Sequence, residues 1–355
     1  MNLIYQSVIK NKLKITLSLI IGLVIFFLFS HCALLGYGIG QAKGQLKIIW
    51  GSQPISIVLA DNLIADEKRE KLMSVQNMLD FAYKEGLTDN GNYHAFYDQK
   101  DQPILWNVSA SLPFEFTPAE WSFPFLGSFS YKGFFDLAKA EEEANLWKLK
   151  NYDIRIRPVS AWSTLGWFKD PILSGMLNRS EGELADLIFH ELTHGTVFIK
   201  NQLQLNENLA SFLGEKIAIK YLIEKFGENS TELNQYLVDQ QSDMQFRSHM
   251  LAGKDTLNQL YLSWKDIAIH DTLKISIKAH LITEIIEKLD TVILDTVVLK
   301  NYQTALLKNR PNNAYFISFQ RYYDNLDELQ QIFDIHNQSV PDFLCHVEKM
   351  GLKLN

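Results

Sequence analysis

Five consecutive residues carry the strongest chemical signal in the chain: His190, Glu191, Leu192, Thr193 and His194, inside the stretch ELADLIFHELTHGTVFI. On an α-helix, positions i and i+4 share a face, so both imidazoles can reach one metal ion. Glu191 is displaced about 100° further round the axis at 3.6 residues per turn, off the metal yet beside water held there. The chemistry this allows is metal-assisted hydrolysis: Zn2+ makes a water acidic near neutral pH, and the carboxylate accepts its proton as the oxygen attacks a carbonyl.

A catalytic zinc usually takes three protein ligands, so the motif needs a third. Glu207, in the segment NENLASF, is the leading candidate. It follows His194 by thirteen positions, room for one helix to end, turn through NQLQL and start an antiparallel neighbour. Asn206 would then sit near that helix start, where Asn is favoured, with Glu207 in the first turn. A glutamate there is also common simply because it complements the helix dipole. Glu215, two turns further on, is the weaker rival. A hydrolase also needs a donor for the tetrahedral oxyanion. Tyr322 and Tyr323 are carried as catalytic candidates for it, beside Tyr315 and His249. His94, His270, His280, His336 and His346 lack ligand spacing and read as structural or exposed.

Those residues must be positioned by a folded body, and the composition supplies one. The 355 residues are 47% hydrophobic and 21% charged, as in globular proteins. A net charge of −7 argues against a nucleic-acid partner, which requires a basic surface. Only Cys32 and Cys345 are present, which excludes a four-cysteine zinc site. Cys32 lies in an apolar stretch, so no internal disulfide is expected.

At the N-terminus, Lys10, Lys12 and Lys14 precede residues 15–40, which contain no Asp, Glu, Lys or Arg. Leu17 to Leu35 can cross a hydrocarbon core of about 30 Å, and the lysines favour a cytoplasmic start. The expected organisation is a basic cytoplasmic segment over 1–14, a single transmembrane anchor over 15–37, and one domain over 38–355 on the extracytoplasmic (periplasmic) side. A lipoprotein signal at Cys32 or a cleaved signal peptide are the lesser alternatives.

Within the domain, Leu72, Val75, Leu79 and Ala82 recur at helical spacing over 66–85. Residues 104–118 read as strands, 136–150 as a helix, and the alternation Asp153, Ile154, Arg155, Ile156, Arg157 as a half-buried strand. A Gly- and Pro-punctuated loop, WSTLGWFKDP, follows. Helices are expected at 182–199, 206–226, 230–250 and 256–289, with two or more beyond. The fold class is therefore α+β, mixed to about residue 180 and mainly helical afterwards.

The chain resembles the bacterial predicted-aminopeptidase family, membrane-associated HExxH proteins of the glutamate-zincin type. The resemblance is carried by GYGIGQAKGQLKII (36–49), WNVSAS (106–111), WSFPFLGSFSYKGFFD (121–136), WSTLGWFKDPIL (162–173), LIFHELTHGTVF (187–198) and NENLASF (206–212), with NNA at 312–314 followed by Tyr322 and Tyr323. It implies a zincin-like metallopeptidase domain in which His190, His194 and Glu207 hold zinc and Glu191 is the base. Such members often begin with a lipoprotein-type cysteine; Cys32 stands there, but His31 departs from the usual small residue.

Tyr131, Gly133 and Trp162 to Phe168 fall in segments that would line a cleft or fill core. LWNVSAS (105–111) is the expected edge strand for pairing with an extended peptide. The Gly-x-Met-Glu-Asn strand by which other HExxH aminopeptidases bind a free amine is absent. The function expected is a zinc-dependent peptidase, an aminopeptidase by family. The alternatives are a zinc endopeptidase, or a membrane-tethered binding or scaffold protein with structural zinc.

Overall fold

A computed structural model describes residues 32–123, 127–159, 168–200, 202–293, 295–321 and 326–354. The expected anchor over 15–37 falls mostly outside these residues, as do Tyr322, Tyr323 and the segment Trp162 to Trp167. Among the described residues, no helix is long and apolar enough to cross a membrane. The chain divides into two compact units, residues 1–50 and 51–355. The described part of the first is helix α1 (Cys32–Gly51).

Among the described residues of the second unit, all the strands precede residue 174 and most of the helix follows. A small sheet pairs β1 (Gln53–Pro54) antiparallel with β2 (Ala95–Tyr97), which runs parallel to β8 (Ile172–Leu173). Short helix α2 (Ile55–Ala60) leads into α3 (Asp66–Lys84). The expected apolar face of α3, with Leu72, Val75, Leu79 and Ala82, is fully buried.

The second sheet has the order β6 (Lys132–Phe134), β3 (Trp106–Ser111), β7 (Asp153–Pro158), all antiparallel. This corrects the edge-strand expectation: the WNVSAS segment is the central strand. Its Trp106 to Val108 pair with β6 and all six residues pair with β7. Beyond β6 the same side is covered by the chain turning back, with Ala119 N–H donating to Ala110 O at 2.8 Å. Strands β4 (Trp121–Phe123) and β5 (Gly127–Phe129) form a separate hairpin. Helix α4 (Leu137–Lys148), started by the Asp136 carboxylate accepting from Ala138 N, lies against β3 and β7.

Helix α5 (Glu181–Thr196) begins at a capping box. Ser180 Oγ accepts from Glu183 N, and the Glu183 carboxylate accepts from Ser180 N at 2.9 Å. Leu184, Ala185, Ile188, Phe189 and Leu192 form its buried stripe, each worth about 1.5–3 kcal/mol for the large aliphatic and aromatic side chains. Helix α6 (Leu203–Phe226) returns antiparallel to it. Their densely packed contact is the principal helix pair of the molecule.

Helix α6 starts three residues earlier than expected, because Asn206 is not a cap. Its side chain is buried and clips the preceding turn: Oδ1 accepts from Ile199 N and Nδ2 donates to Ile199 O, both at 2.8 Å. Helix α7 (Thr231–Ser263) runs unbroken for 33 residues, so the expected interruption near 250–256 falls at 264–270 instead, before α8 (Asp271–Glu287). No glycine or proline combination stops the chain near 250. Gly253 packs against Ile285 of α8, and its lack of a side chain permits that approach. Helices α9 (Thr296–Lys308), α10 (Asn313–Phe316), α11 (Leu326–Ile335) and α12 (Val340–Leu354) complete the unit.

Two apolar clusters support this frame, one under α3, α5 and α6, the other between α7 and α8. Polar ties bind the second to the sheet. Lys278 donates to Pro113 O at 2.7 Å and pairs with Asp153, which also accepts from Asn313 N at 2.8 Å.

Candidate metal centre and its cleft

Three side chains from α5 and α6 converge. His190 Nε2 and His194 Nε2 are 3.2 Å apart, and Glu207 places its carboxylate oxygens 3.8 Å and 3.7 Å from them respectively. One ligand atom from each lies within 4.8 Å of the others, a set that could hold a metal ion. Two imidazole nitrogens and one carboxylate oxygen are a donor set suited to zinc.

The local sequence explains the placement. His190 and His194 are one turn apart on α5, and the Asn206 clip turns the chain so that the second turn of α6, with Glu207, faces them. Burial first, then the neighbouring His194, pushes His190 down to about 3. Burial also lowers His194. Both rings are thereby held neutral at physiological pH, the form that ligates metal.

The surroundings add residues that the sequence did not single out. Ser211, one turn after Glu207, brings its hydroxyl to 3.5 Å from His190 Nδ1, the ring nitrogen opposite the ligating one. Asp186, one turn before His190, accepts from Tyr236 OH at 3.1 Å and from Gln240 Nε2 at 3.0 Å, both on α7. Burial raises Asp186 to about 7 against those two hydrogen bonds, with the Glu215 charge raising it further. Tyr93 is buried near Glu191. Desolvation, then the carboxylate's charge, holds its hydroxyl well above the usual tyrosine range. The i, i+4 spacings of Asp186 to His190 and of Glu207 to Ser211 were the available signals for two of these.

His190, Glu191 and Glu207 line a cavity of about 1240 Å³. Its far side is the β3–β7 ladder, contributing Asn107, Ser109, Arg155 and Arg157, with Tyr131 from the loop before β6. Glu215 lines the same cavity but does not join the ligand group; it pairs with Lys216 at 3.2 Å. Of the other oxyanion candidates, Tyr315 stacks under the Arg155 guanidinium and His249 bonds Ile285 O at 2.6 Å. Neither lines the cavity. His336 and His346 bond each other at 2.9 Å, away from the ligand group. Cys345 is a free, exposed thiol.

No curated protein and no solved structure matches the chain. A family model described as Putative aminopeptidase matches residues 36–354, nearly the whole chain and every residue of the site just described. The chain belongs to that family.

Proposed function

We propose that this protein is a zinc-dependent aminopeptidase with a zincin-like active centre, anchored to a membrane by its N-terminal segment. The observation that carries the reading is the convergence of His190, His194 and Glu207, with His190 and Glu207 on the wall of a large cavity that Glu191 also lines.

Zinc, when bound, supplies Lewis acidity to a scissile carbonyl and a water whose proton is lost near neutral pH. The chain's own residues do the rest. His190 and His194, neutral through burial, and Glu207 hold the ion. Glu191, offset on the same helix, accepts the water's proton and returns it to the leaving amine. Ser211 orients the His190 ring through Nδ1. Among the described residues no fourth protein ligand joins the group, which favours an open catalytic site over a closed structural one.

Amino-end selectivity needs negative charge near the reacting carbonyl. Glu215, on the cavity wall and outside the ligand group, is the residue placed to supply it. The test is hydrolysis of an N-terminally acetylated peptide beside its unblocked twin, followed by mass spectrometry. Release of single residues from the unblocked peptide alone supports the reading. Internal cleavage of both would make the protein an endopeptidase, and no cleavage of either by zinc-loaded protein would overturn hydrolysis.

A further inference from the structure

We infer that the polar face of the β3–β7 ladder, built from Arg155, Arg157, Asn107 and Ser109, docks a carboxylate of the peptide substrate. This deepens the peptidase reading and rests on it for the identity of the ligand as a peptide.

Alternation along β7 puts Arg155 and Arg157 on one face, and the ladder sets them opposite Ser109 and Asn107. All four line the cavity that holds the metal ligands, so a molecule reacting at the zinc site meets this wall. The two guanidiniums are adjacent, like-charged, and without a carboxylate partner among the described residues. Several of the cavity's acids are engaged elsewhere: Asp243 by Arg247 and Tyr302, Asp186 by Tyr236 and Gln240, Glu183 by Ser180, Asp239 by Gln235.

Arg155 is nonetheless held in place. Its Nη1 donates to Ser318 Oγ at 2.8 Å, and its guanidinium lies 4.3 Å from the centre of the Tyr315 ring. Burial, then repulsion from Arg157, pushes it down to about 10, so an arriving anion would relieve a strain the fold maintains. Guanidinium groups take carboxylates in paired N–H···O bonds, an interaction that lysine does not reproduce.

Beside them, Asn107 Oδ1 is buried without a hydrogen-bond donor among the described residues. Two adjacent guanidiniums suit a carboxylate, which a peptide presents at its C-terminus or on an acidic side chain. The shared ligand chemistry is the carboxylate, and the probes separate its two sources.

Affinity is read by calorimetry with full-length, zinc-loaded protein carrying Glu191→Gln, so that bound peptide persists. The probes are trialanine, trialanine amide, and the amide of alanyl-glutamyl-alanine. The expected result is at least tenfold tighter binding of trialanine than of its amide. Adding Arg157→Gln should abolish that preference, with parent-level zinc content and an unchanged circular-dichroism spectrum certifying the fold. Tight binding of the glutamyl amide as well would assign the site to any peptide carboxylate, and its failure to bind tightly would assign it to the C-terminus. Equal affinity for all three probes overturns the inference, as does a carboxylate preference that survives both Arg157→Gln and Arg155→Gln. Because binding is measured, an absence of turnover, which would sink the hydrolytic reading, leaves this comparison decisive.

Discussion

His190 and His194 present their Nε2 atoms to each other at 3.2 Å, with ring planes 84° apart. Without a cation, two neutral imidazoles so placed can share only one proton, and the Glu207 carboxylate nearby adds negative charge to the same point. The arrangement favours a dication, and a ligand that binds only the folded state stabilises it. Zinc at a hundredfold excess over its dissociation constant should add about 2.7 kcal/mol to unfolding, seen as a raised Tm by calorimetry and reversed by chelator. Glu207→Ala should remove most of that increment. A Tm indifferent to zinc in the parent protein would contradict the metal assignment.

Glu191 offers a cleaner separation of roles, since it shares α5 with the two histidines but does not belong to their ligand group. Glu191→Gln preserves shape and hydrogen-bonding capacity while removing the proton acceptor. The zinc content measured by atomic absorption should stay at the parent level, while kcat falls by about 10²- to 10⁴-fold. Zinc loss in parallel with activity would make Glu191 a ligand rather than a base.

Helices α5 and α6 pack closely at Gly214. A Cβ there would stand 2.6 Å from Asp186 Oδ1, 3.0 Å from the Asp186 carbonyl oxygen and 3.2 Å from His190 Cβ. The carboxylate could rotate aside, but the backbone oxygen can retreat only if α5 moves, and His190 moves with it. Gly214→Ala should therefore cost about 1–3 kcal/mol in urea unfolding. It should also lower kcat by roughly ten- to a hundredfold through misplacement of the ligand set. Full activity in a destabilised variant would mean that the two helices adjust without disturbing the histidines.

The candidate ligand set was legible in the sequence: His190 and His194 follow from helical periodicity, and Glu207 lies only thirteen residues on, at the start of the neighbouring helix. What escaped was decided by distant packing. The early start of α6 depends on Asn206 reaching back to Ile199, a contact that cap preference at Asn206 could not foretell. The central position of the WNVSAS strand depends on β7, more than forty residues later, and on the chain's return through Ala119. The alternation of Arg155 and Arg157 was visible as a half-buried strand, but not that their face would look into the cavity of the metal ligands. Likewise, α7 runs on through residue 250 and brings Gly253 against Ile285 of α8, a contact between helices.

At the far end of the same helix pair, Glu181 fixes α5 to α6 by accepting from Tyr221 OH at 2.8 Å and from Lys225 Nζ at 2.5 Å. Both partners of the ion pair are partly buried, with side chains 13% and 28% exposed, so the contact is less screened than a surface pair. Burial alone would raise the Glu181 carboxyl, but the hydrogen bonds from Lys225 and Tyr221 outweigh it and leave it below the usual value. A carboxylate depressed in the folded state binds fewer protons there than in the unfolded chain. Its stabilisation is complete above the ordinary glutamate value of 4.5 and is lost as pH falls through the lower folded value. Glu181→Gln should cost about 1.5–3 kcal/mol at pH 7. The gap between parent and variant, measured by urea unfolding, should narrow progressively below about pH 4.5. A gap that stayed constant into that range would mean that Glu181 acts through its shape and packing rather than through its charge.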